Sequence, residues 1–179
     1  MANTTFDGPV RSKNGFQSIG PGAAIALTAA TDLTVADHAG RLLLMDPVGT
    51  PTAITLPTIN ATADSAIAGP GSDPNNPNTI GTTFEILFTD EFTGSISTDG
   101  TDKFGGSIMI GVDDGSKKAF VPAASNDVMN LNGEAGTGNA TKGGLIGSRV
   151  KFTAVADNLY MVEGLLIGDG TIATPFADA

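Results

Sequence analysis

Apolar and polar side chains alternate with period two along much of this chain, the spacing that puts one face of a β-strand in a core and the other in solvent. The strongest instance is Thr82–Thr89, where Phe84, Ile86 and Phe88 alternate with Thr83, Glu85 and Leu87. Near the C-terminus Val150, Phe152 and Ala154 alternate with Arg149, Lys151 and Thr153. Ala156-Asp157-Asn158 then reads as a turn, and Leu159–Glu163 as the returning strand of a hairpin. That hairpin directs Arg149 and Lys151 to solvent and lets Glu163 meet one of them across the pair, while the return strand is apolar on both faces up to Glu163. Shorter strands are predicted at Arg41–Met45, Ala53–Leu56, Ser95–Thr98 and Ser107–Val112, after an apolar stretch of small residues at Ala23–Ala30 and a β-prone one at Thr31–Val35. Asp99-Gly100 and Gly105-Gly106 separate the later ones. Nowhere do apolar residues hold the i, i+3, i+4, i+7 spacing for more than about two turns of helix. The pattern predicts an all-β fold, a compact β-sandwich or small barrel of about eight short strands.

Breakers divide the chain. Residues 1–22 lack periodicity and end in Gly20-Pro21-Gly22, so they read as an extended N-terminal arm ahead of a single β-domain over 23–179. Long loops are expected near 64–80, around Gly69-Pro70-Gly71-Ser72-Asp73-Pro74, and near 126–144, which is rich in Gly and Asn. The segment Gly168–Ala179 reads as a loosely held tail. The arm carries Phe6, Val10, Phe16 and Ile19 with two cations, Arg11 and Lys13, against the single acid Asp7. Four large apolar groups are worth burying, either back on the chain's own domain or, as expected for these six residues, at an interface to a neighbouring subunit or to a larger shell.

Composition narrows function. The 179 residues carry a formal net charge of −10, which repels phosphate backbones and argues against nucleic-acid binding. Having no cysteine, the chain has no thiol chemistry, disulfides or Cys-ligated zinc. The N-terminus lacks a basic start followed by an apolar run, and no segment approaches the ~18 consecutive apolar residues of a membrane helix. No membrane association or export is therefore expected.

No catalytic residue, cofactor site or metal site is nominated. His38 is the only histidine, and the adjacent Asp37 does not make a site without a convergent nucleophile or metal. Asp90-Glu91, Asp99 with Asp102, Asp113-Asp114-Gly115 and Gly168-Asp169-Gly170 lack the spacing of a calcium loop and fit turns, where Asp side chains bond nearby backbone. Gly133–Asn139 lacks the Gly-Lys-Ser/Thr of a phosphate loop. Ile146 and Val150 stand where a nucleophile elbow around Ser148 needs glycines.

Two regions resemble virion proteins of bacteriophages. Thr4-Thr5-Phe6-Asp7-Gly8-Pro9-Val10-Arg11-Ser12-Lys13-Asn14-Gly15-Phe16 is similar to the start of small structural proteins of marine phages. Ala39-Gly40, Ile54-Thr55-Leu56-Pro57, Gly81–Ile86, Gly147–Phe152 and Asn158–Gly164 resemble a β-module of phage decoration and appendage proteins, which often carries Trp where Tyr160 stands. The resemblance implies a non-enzymatic virion structural protein. In that role a capsid decoration (cement) protein, made in the host cytoplasm, would sit on the capsid surface as a homo-oligomer, a trimer, with the major capsid protein as partner. The alternative it leaves is a host-binding module of a tail fibre or head appendage.

Overall fold

The structure, a computed structural model, describes residues 24–46, 52–61, 79–134 and 138–179. Within them two sheets stack face to face. The first has seven strands in the order β1 (Ala24–Leu27), β3 (Leu42–Met45), β5 (Thr83–Phe88), β10 (Arg149–Ala156), β11 (Leu159–Ile167), β7 (Lys103–Gly111) and β8 (Lys117–Phe120). The second has five, β12 (Phe176–Ala177), β9 (Val128–Asn132), β6 (Thr93–Ser97), β4 (Thr52–Thr55) and β2 (Thr31–Asp32). A single turn of helix, α1 (Val35–His38), links β2 to β3.

The all-β expectation holds, and the two stacked sheets make it a sandwich. One register row shows why the sequence folds this way. Ile25, Leu43, Ile86, Val150, Gly164, Ile108 and Phe120 sit side by side across all seven strands, facing inward. Opposite them run Thr31, Ile54, Ile96, Met129 and Phe176 across all five strands of the other sheet. The two inner faces make one continuous core. Phe104 of β7 joins the sheets, its ring centroid 5.5 Å from that of Phe152 and 6.3 Å from that of Phe176. The glycine in the middle of the first row is required there: a Cβ on Gly164 would lie 2.4 Å from the Arg149 carbonyl oxygen.

The connectivity combines the predicted C-terminal hairpin, β10–β11, with parallel pairing that strand periodicity does not specify. The strands alternate between sheets from β1 to β6, and each pairs in parallel with the strand two places on: β1 with β3 and β3 with β5 in one sheet, β2 with β4 and β4 with β6 in the other. The first half is thus a flattened coil of three rungs. The second half is antiparallel at β5–β10–β11 and returns to parallel pairing at β11–β7.

Four further expectations are corrected. The described residues contain twelve strands where about eight were expected. The segment 126–144 is not all loop, because Met129 and Leu131 anchor β9 against β6, turning apolar side chains inward between Asn130 and Asn132. Nor do Gly105 and Gly106 end a strand; they lie inside β7, whose ladder with β11 runs on through them. The C-terminal tail is tied down as well. Phe176 is buried, β12 pairs with β9, and the Ala179 N–H donates to Asp127 Oδ1 at 2.9 Å. Small polar residues hid this from the pattern, since one aromatic and a few hydrogen bonds do the fastening. The expected loop near 64–80 falls largely outside the described residues, which resume at Thr79.

Candidate surface on the seven-stranded sheet

Alternation leaves every second residue of the seven-stranded sheet on its outer face, and the chain fills those positions unusually. One outward row reads Ala26, Leu44, Leu87, Arg149, Leu165, Met109, Ala119 from β1 to β8. The row beside it reads Ala24, Leu42, Glu85, Lys151, Glu163, Ser107. Five of the nine large apolar side chains that are exposed among the described residues lie on this face: Leu42, Met109, Met161, Leu165 and Ile167. Leu165, at 52% exposure, stands near its centre. Lone exposed apolar residues are ordinary, and it is the gathering of several on one sheet face that makes it the candidate surface.

Ion pairs cross the apolar band. Lys151 Nζ lies 2.9 Å from Glu163 Oε1, directly across β10–β11, and Arg149 pairs diagonally with Glu85 of β5. The hairpin at Arg149–Ala156 and Leu159–Ile167 therefore places Arg149, Lys151 and Glu163 as its sequence predicts. Such solvent-facing pairs contribute about 0.2–1 kcal/mol each and serve register more than stability. Between them Gly147, Gly164 and Leu165 floor a shallow depression of about 510 Å³.

The opposite outer face differs. Ala53, Ser95 and Asn130 align across β4, β6 and β9, and Thr55, Ser97 and Val128 align beside them. These short, mostly polar residues present no large apolar group, and the charge aligned with them is Asp32 of β2, beside Thr55.

The groups that reactivity would use are engaged in structure. Thr34 caps α1: its hydroxyl meets Asp37 Oδ2 at 3.0 Å and accepts from the Asp37 N–H, while its own N–H donates to His38 Nδ1 at 2.9 Å. This is an exposed helix start built by Thr34, Asp37 and His38. Ser148 is buried, and its hydroxyl accepts from the Ile167 N–H at 2.8 Å. Three of the acidic runs bond within turns: Asp90 accepts from Glu91, Asp99 from Thr101 and Asp102, and Asp114 from Ser116, whereas Asp169 accepts from the Gly138 N–H, 31 residues away, and ties two loops together. Burial alone would raise the Asp99 carboxyl, but donation from Thr58, Thr101 and Asp102 holds it below the ordinary range.

Asp102 is the exception that sequence reasoning missed. It is fully buried; one carboxylate oxygen accepts from the Ile59 N–H at 2.8 Å and the other has no hydrogen-bond partner. Burial, with the charges of Asp99 and Asp157, pushes its carboxyl above the usual range. No signal in Asp99-Gly100-Thr101-Asp102 distinguishes this residue from its turn-forming neighbour. Among the described residues no group of three or more His, Asp or Glu side chains is arranged to hold a metal ion, and no helix is long and apolar enough to cross a membrane.

The six arm residues expected at an interface, Phe6, Val10, Arg11, Lys13, Phe16 and Ile19, lie outside the described residues. The chain matches no protein-family model, no curated protein and no solved structure.

Proposed function

We propose that this protein is a non-enzymatic structural subunit of a virus particle, a decoration protein whose many copies on the outer surface of a phage head are joined to one another through the outer face of the seven-stranded sheet. One observation carries the reading: the broad, unpartnered sheet face in which Leu42, Leu165, Met109 and Met161 stand exposed around two ion pairs. Seven strands at ~4.8 Å make it roughly 30 Å wide, and strands of up to nine residues make it roughly 20–30 Å tall. That approaches the ~800 Å² each partner gives to a standard protein interface. A rigid, acidic sandwich with such a face suits a passive load on a protein lattice, where repeated modest contacts reinforce one another. The resemblance of Thr4–Phe16 to marine-phage structural proteins supplies the setting, with the major capsid protein as partner and a trimer as the assembly unit.

Copy number tests the proposal. Quantitative mass spectrometry of purified particles should find hundreds of copies of the chain per particle. A dozen or fewer would move it to a tail or appendage, and none would remove it from the particle.

A further inference from the structure

The outer face of the seven-stranded sheet needs an occupant, and the chain contains one segment suited to it. We infer that residues 6–19 of one copy dock across this face of a neighbouring copy, so that copies are joined arm to face in a closed ring. The inference rests on the reading that the chain works in many copies, and it names what fills the face.

Three observations point to the arm. The first is attachment and length. Twenty-three residues precede Ala24, the first residue of β1, and β1 is the edge strand of the very sheet that carries the apolar band. At ~3.3–3.6 Å per residue they reach roughly 75 Å, more than twice the ~30 Å width of the sheet, enough to leave one subunit and traverse another.

The second is charge. From Ala24 onward the chain has seven basic and eighteen acidic side chains, a net −11, while the first 23 residues hold Arg11 and Lys13 against Asp7. Two such domains repel each other, and the arm is the cationic segment able to bridge them.

The third is what the arm cannot do. The coil opens with β1 and β2, and its first two strands in the large sheet, β1 and β3, begin 18 residues apart, at Ala24 and Leu42. Extending the large sheet backward at that spacing would place Asp7 and Pro9 at the positions held by Ile25 and Leu27, and neither is a core side chain. Its apolar groups, Phe6, Val10, Phe16 and Ile19, want a surface to cover, and among the described residues the Leu44–Leu87–Arg149–Leu165–Met109 row offers apolar side chains on either side of a single cation. Arm and face are different surfaces, so the contact is head-to-tail and closes when the rotation between copies completes a ring.

Light scattering on the purified full chain, on a chain lacking residues 1–19 and on the Leu165→Glu variant tests this without any particle. The full chain should have a multiple of its 18.0 kDa monomer mass, three-fold for a trimer. Both variants should be monomers with unchanged β-signal; Leu165 is exposed, so its replacement spares the core. A synthetic peptide of residues 1–22 should bind the truncated domain, and bind its Leu165→Glu form about tenfold or more weakly. A full chain that stays monomeric would overturn the exchange between copies. An oligomer that survives truncation would overturn the arm as occupant, and one that survives Leu165→Glu would overturn the face. A ring in solution that is missing from particles would leave this contact standing and refute the decoration role, so the two failures are distinguishable.

Discussion

Two buried carboxylates set opposite pH dependences. Asp127 is held below the ordinary carboxylate range first by Lys103, whose Nζ is 2.6 Å from Oδ2, and also by the Ala179 N–H. A carboxyl depressed by folding contributes stability above its unfolded value of about 3.9 and loses it as pH falls through the lower folded value. Lys103→Met should therefore cost stability at pH 7 and much less at pH 2, as read from urea midpoints. Asp102 runs the other way. Its folded carboxyl is raised, so the native state holds the proton more tightly and the fold weakens as pH climbs from about 4 through the folded value. Relative to wild type, Asp102→Asn should gain stability between pH 4 and pH 7. A difference that stays constant with pH would mean that the carboxyl does not titrate differently on folding.

At the level of strands, the sequence was most legible where alternation is cleanest. Phe84, Ile86 and Phe88, and Val150, Phe152 and Ala154, all face inward as their spacing demands. Ile86→Ala and Phe152→Ala, each at 0% exposure, should lower unfolding free energy by roughly 2–5 kcal/mol in chemical denaturation. Losses under about 0.5 kcal/mol would be surface behaviour. Partner choice was not legible, because period two is the same in parallel and antiparallel strands. The β11–β7 pairing depends instead on backbone closeness: Gly106 has φ +93°, and a Cβ there would lie 2.3 Å from the Val162 carbonyl oxygen. Gly106→Ala should cost at least about 2 kcal/mol, from φ strain plus the clash. The same mutation at solvent-open Gly111 should cost far less. The candidate face was hidden for a related reason. Leu87, Met109 and Leu165 are single apolar residues on the outward side of separate strands, and only the register shows them together on one face.

The whole molecule is a stiff acidic sandwich with unlike faces, one small and polar, one apolar and ion-paired. Circular dichroism should be dominated by β-structure, and a helical content near a third, the average for soluble domains, would contradict the fold. Composition conveyed the acidity and the all-β class, but the proposed association surface emerges only when seven strands from both ends of the chain are set side by side. The decisive measurement is the occupancy of particles by the Leu165→Glu protein, counted by quantitative mass spectrometry beside wild type. Leu165 is exposed and contributes nothing to the core, so the variant should fold normally, with wild-type β-signal and urea midpoint. If the outer face of the seven-stranded sheet is the working surface, this folded protein should be nearly absent from particles that wild type fills. Full occupancy by the variant would contradict the account.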